Sequence, residues 1–139
     1  MKISILAAGA VVFTMLLTGC GEKKAEDTPE KSAEVFTKCI YENDTDCVFN
    51  LFRFEGTALN HPEKAKDAIS VLAKAASDEA KAHGGLKSVN VLAASYSHDR
   101  NRALVPVEVV FAKDDYKTSL NLNLSAGDNE DKNWYVLFE

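Results

Sequence analysis

Cys39 and Cys47 are the two side chains with the most chemistry to offer each other. They stand eight positions apart. On one continuous helix that spacing separates them by ~12 Å along the axis, while a disulfide needs Cα atoms within ~7 Å. A bridge therefore demands a chain reversal between them, and Asn43-Asp44-Thr45-Asp46 supplies turn chemistry at that place. The alternative is a pair of small buried thiols on packed helices. No histidine falls at ligand spacing from either cysteine, so no metal is expected. His61 precedes Pro62, His83 lies in a last helical turn where the macrodipole favours a cation, and His98 sits in a turn. Nothing in the sequence brings the three together. Glu108 alternates with Val107 and Val109 and so faces away from them; it is expected to be a solvated strand carboxylate, and a general base only if its face were the concave one. The expected catalytic set is empty, and no cofactor is implied. Tyr96, Tyr116 and Trp134, with the Phe52 and Phe54 cluster after Cys47, are the candidate lining of a ligand pocket or a partner surface.

The third cysteine has a different setting. Cys20 closes an apolar run, Ile3 to Leu17, that follows the basic Lys2 and precedes Glu22-Lys23-Lys24. That run is short of the ~20 residues a spanning helix needs, and it has the parts of a secretory signal. Leu17-Thr18-Gly19-Cys20 resembles the bacterial lipobox, in which the cysteine sulfur is lipidated and becomes the mature N-terminus. The resemblance implies a signal peptide over 1–19, a lipidated N-terminus and tether over 20–27, and a single domain over 28–139. Two or three acyl chains hold a protein stably on a bilayer. Gly21, where an aspartate would favour inner-membrane retention, implies the outer membrane, facing the periplasm. In that oxidising compartment the Cys39–Cys47 disulfide is the favoured reading. The formal net charge of −5 argues against nucleic acid and against a polybasic membrane patch.

The elements that must position these residues follow from periodicity. Thr28 caps and Pro29 opens a helix whose apolar face is Ala33, Phe36, Cys39 and Ile40. A short second helix carries Cys47, Val48, Leu51 and Phe52. Arg53 to Asn60 reads as a loop. A long third helix runs from about Pro62 to His83 with the stripe Ala65, Ile69, Leu72, Ala76 and Ala80, and Gly84-Gly85 stops it. Beyond Gly85 the period becomes two: Val89 and Val91, then Ala103 to Phe111, Leu120 to Leu124, and Trp134 to Phe138. Pro106 in the second of these strands marks an edge or a bulge. The expected fold class is α+β, three N-terminal helices packed on a curved four-stranded antiparallel meander.

That order of elements behind a lipobox, ending in Asn133-Trp134-Tyr135-Val136, resembles the nuclear transport factor 2-like (cystatin-like) lipoproteins of unknown function. The resemblance implies a cone between the long helices and the concave sheet face. The expected role is a non-enzymatic binding or interaction module, tethered through its lipid, for a small apolar ligand or an envelope protein. Two alternatives stand beside it: an immunity or inhibitor-type lipoprotein acting on a periplasmic enzyme or toxin, and an isomerase or dehydratase-like enzyme using the cone. A homodimer through the outer sheet face is a further candidate, although Glu108, Asn121 and Asn123 make that face polar.

Overall fold

A computed structural model describes residues 24–128 and 130–138. The expected signal peptide, 1–19, and the expected lipidation residue, Cys20, lie outside the described residues. Helix α1, Pro29–Tyr41, starts as the sequence dictates: the Thr28 side chain accepts from the Lys31 N–H at 3.1 Å, and Pro29 occupies the first turn. Asn43 then takes a left-handed conformation (φ 58°), and Asp44 caps α2, Thr45–Leu51, by accepting from the Cys47 N–H at 3.2 Å. The reversal brings the Cα atoms of Cys39 and Cys47 to 6.1 Å, and the two are joined in a disulfide.

The chain departs from expectation immediately afterwards. Phe52–Phe54 is a strand, β1, where Phe52 was expected in the second helix and Arg53 and Phe54 in a loop, and Thr57–Asn60, also expected in that loop, is a short helix, α3. The long helix α4, Pro62–Ala82, ends at Gly84 and Gly85, whose φ values of 84° and 95° suit glycine; the Gly85 N–H returns to the Ala80 carbonyl at 2.7 Å. β2 (Leu86–Val91), β3 (Ser95–Tyr96), β4 (Arg102–Phe111), β5 (Lys117–Ala126) and β6 (Trp134–Phe138) follow, with a 3-10 turn at Lys113–Asp115 between β4 and β5. The described residues thus hold four α-helices and a six-stranded sheet, not three helices and four strands. The spatial order is β1-β6-β5-β4-β2, with β3 also on β4. The extra pair β1–β6 is parallel, Phe52 opposite Val136, and the remaining pairs are antiparallel.

Pro106 sits inside β4, which has neighbours on both sides, and pairs in unbroken register with Asn121 of β5. Of the two expectations, an edge or a bulge, the edge is corrected and the β4–β5 ladder has no bulge there. Its carbonyl accepts from Leu92 at 2.9 Å, so its missing N–H points the same way, into the break between β2 and β3. The sheet interrupts its pairing where proline has no donor to give.

The core lies between α1 and the inner face of the sheet. Val105, Val107, Val109, Phe111 and Leu124 are fully buried beneath Ala33, Phe36 and Ile40. Ala25 is also buried, and Glu26 pairs with Trp134 across the end of β6, so the last residues expected in the tether belong to the body. Ser32 locks this corner: its hydroxyl donates to the Trp134 carbonyl and accepts from the Glu26 N–H, both at 2.8 Å.

Replacing Cys39 and Cys47 together by alanine removes the cross-link that closes the short α1–α2 loop. The expected loss is about 2–3 kcal/mol of unfolding free energy. Urea denaturation with and without reductant checks it: the reductant destabilises the native chain and leaves the double variant unchanged.

Candidate functional site

Helix α4 rests on the other helices, α1, α2 and α3. Its buried side is built from small residues: Ala65, Ala73, Ser77 and Ala80, with Ile69 the one large member. The expected stripe is therefore shifted. Ala73 and Ser77 point inward, while Leu72 is 44% exposed. This rotation leaves a cleft of about 250 Å³ where α4, the end of α1 and β5 meet. Ile40, Leu72, Ala75, Ala76 and Leu120 give it apolar walls, and Tyr41 and Glu79 add a phenol and a carboxylate.

Tyr41 is the distinctive group there. Its ring packs edge-on against Phe111, with centroids 5.3 Å apart. Burial, with the Glu79 carboxylate and Tyr116 nearby, pushes its phenol pKa up from the usual 10 to about 12. The hydroxyl is thus a proton donor at any physiological pH. At the same end of the molecule Tyr116 stacks flat on His83, 3.7 Å between centroids and 4° between planes, and both lie near Phe111.

The aromatic residues singled out in the sequence are distributed over three places. Tyr116 is at the end just described and is partly exposed. Phe52 and Phe54 join Phe49, Phe36 and Phe138 in an aromatic cluster along β1 and β6. Tyr96 and Trp134 meet edge-on at 5.9 Å, and the Arg100 guanidinium lies 4.2 Å above the Tyr96 ring. A second groove of about 350 Å³ passes Tyr96, Leu104 and Asn123; it runs over the outside of the sheet and is lined by Ser95, Ser97 and Arg102 as well. Glu108 is partly exposed on the outer face and accepts from the Asn90 side chain at 3.1 Å. His61 lies at the α3–α4 junction and His98 in the turn before β4, apart from His83. The sulfurs of Cys39 and Cys47 lie with an Asp44 carboxylate oxygen in a group compact enough for a cation, but both sulfurs are committed to the disulfide.

Tyr41, Glu79 and Leu120 were absent from the candidates because they come from three distant elements. One signal did precede them: α4 has more apolar positions than one buried face can use, with Ala68, Val71, Leu72 and Ala75 in addition to the core stripe.

No protein-family model matches the chain, and no curated protein matches it. Among solved structures, a Campylobacter jejuni protein provisionally named an NTF2-like transpeptidase is similar over 81% of this chain and 99% of its own, with a TM-score of 0.69 and 25% identity. The likeness supports an NTF2-like fold for this domain.

The Tyr41 phenol gives a pH dependence of known sign. Its folded pKa lies above the unfolded value, so its contribution is complete below about pH 10 and is lost as pH rises toward about 12. Denaturation midpoints measured across that range should fall less steeply in Tyr41→Phe than in the native chain. Spectroscopic titration of the tyrosines should lose its last phase, near 12, in the same variant.

Proposed function

We propose that this chain is a bacterial lipoprotein, anchored through Cys20 to the outer membrane on its periplasmic side, whose domain is a non-enzymatic binding module. The cleft beside α4 receives a small apolar ligand. The observation that carries the reading is the make-up of that cleft: apolar walls on three elements, with one permanent donor at Tyr41 and one carboxylate at Glu79. Sites for small molecules are built this way, with apolar contact supplying affinity and a few polar groups fixing orientation. A ligand with a hydrocarbon body and one polar end, able to accept from the Tyr41 phenol, fits the chemistry.

The neighbour's name brings acyl transfer to mind, which needs a nucleophile beside a base. In this chain Cys39 and Cys47 are bonded to each other, and the buried Ser32 hydroxyl is held by the Trp134 carbonyl. These groups serve the fold, which supports binding over covalent catalysis.

Two measurements test the proposal. The chain from Gly21, which contains the whole described fold, is titrated with an uncharged naphthalene-type fluorophore. Leu72→Asp is expected to weaken binding at least about tenfold, equal to ~1.4 kcal/mol, while Leu104→Asp on the outer sheet face leaves it unchanged. Equal loss in both variants, or no binding at all, would overturn the cleft assignment. Separately, the full chain expressed in a bacterium with labelled palmitate should carry label in the membrane fraction, and Cys20→Ala should lose both the label and the membrane association.

A further inference from the structure

Helix α4 has a second apolar face that the fold does not use. Ala68, Val71, Leu72 and Ala75 recur at helical spacing on the side turned from the core. All four are exposed, and Val71, at 71%, is the most exposed large apolar side chain among the described residues. Lys64 bounds this stripe at one end and Glu79 at the other.

The stripe has a symmetry about the point midway between Val71 and Leu72. Moving outward in either direction one meets an alanine, Ala68 or Ala75, and then a charge, Lys64 or Glu79, at equal distances. The size pattern is the same in both directions and the charge changes sign. A two-fold axis through that midpoint, perpendicular to the helix, lays a second α4 antiparallel on the first. Val71 and Leu72 meet at the centre, the alanines face alanines and let the backbones approach, and each lysine faces the glutamate of the other copy. Such self-complementarity is what a two-fold interface requires.

The charges add an independent argument. Lys64 and Glu79 lie about 22 Å apart along their own helix at ~1.5 Å per residue, too far to pair within one chain. Neither makes an ion pair among the described residues, whereas Lys74 and Asp78 on the same helix pair at 2.9 Å. We propose that this face of α4 is a self-association surface through which two copies of the chain pair as antiparallel helices. The seam shares Leu72, Ala75 and Glu79 with the cleft, so pairing would cover part of it, while Lys64, Ala68 and Val71 belong to the seam alone. The proposal moves the dimer contact from the outer sheet, with its exposed Asn121 and Asn123, to the helical layer. One helix seam buries less than the ~1,200 Å² of a standard interface, so the association is expected to be weak.

Sedimentation equilibrium on the chain from Gly21, from roughly 10 μM to 1 mM, reads it in a range where millimolar to micromolar dissociation constants register. The native chain should self-associate to dimers. Val71→Asp should raise the dissociation constant at least about tenfold, with the circular dichroism spectrum unchanged because the side chain is exposed. Lys64→Glu and Glu79→Lys, each alone, should weaken the dimer by placing like charges opposite each other. An equimolar mixture of these two single variants should restore association, because every facing pair is then opposite in sign. A native chain that stays monomeric throughout, a dimer indifferent to Val71→Asp, or a mixture that does not recover would each overturn the proposal.

Discussion

Helix α1 is the constraint on which the rest of the structure depends. It touches α2, α4 and four strands, β2, β4, β5 and β6. Its inner residues, Ser32 and Ala33, are small and fully buried, so the helix can lie close to β4 and β6. The fully buried Thr37 returns its hydroxyl to the Ala33 carbonyl at 2.7 Å, which spares the core an unpaired polar atom. With α1 in place the valine row of β4 is sealed from water. The disulfide and the Asn43 reversal then fix where α2 leaves, and α2 in turn supports α4. An error in the seating of α1 would propagate to every other layer, because the cooperative packing of a dense interior transmits displacement.

The same arrangement explains why the cleft lies beside α4. Helix α1 covers the inner face of the sheet, and free volume survives at the periphery, where α4 rests mainly on the other helices. Its alanine-rich underside brings it close to α1 without filling the space toward β5. The half-buried Leu120 and the exposed Leu72 are therefore parts of one apolar surface that the chain itself does not cover. Tyr41 shares both worlds: its ring packs in the core against Phe111, and the residue is also part of the cleft lining.

Much of this was legible in the sequence where one physical rule dominates. Alternation in β4 and β5 survives because one face is buried and the other wet, so a shift of register by one residue would invert every side chain. The helix starts were legible because Thr28-Pro29 and Asp44 satisfy free amide groups locally. The Cys39–Cys47 link was legible because its spacing demanded a turn and Asn43-Asp44 could make one. The rest depends on tertiary contact. Phe52-Arg53-Phe54 is too short to show a period, and its strand character is conferred by β6. On α4, the small Ala73 and Ser77 went in while the larger Val71 and Leu72 stayed out, an order that hydropathy cannot reveal. The cleft was hidden for the same reason, since Tyr41, Glu79 and Leu120 become neighbours only after the helices have packed.

The placement of β6 has a consequence for the order of events in the life of the chain. This strand lies between β5 and β1, so it is interior to the sheet although it comes last among the described elements. More than half of the sequence separates Phe52 from its partner Val136. The early segment Phe52–Phe54 has nothing to pair with until Trp134–Phe138 arrives, and Trp134 must also be present before Glu26 and Ser32 find their partners. The two ends of the described chain are thus stitched together by the same five residues. Contacts this remote in sequence form late, so the chain must have been made as far as Phe138 before the tertiary structure can close. A chain emerging from a ribosome stays open until then, a state in which it can still be threaded through a narrow passage.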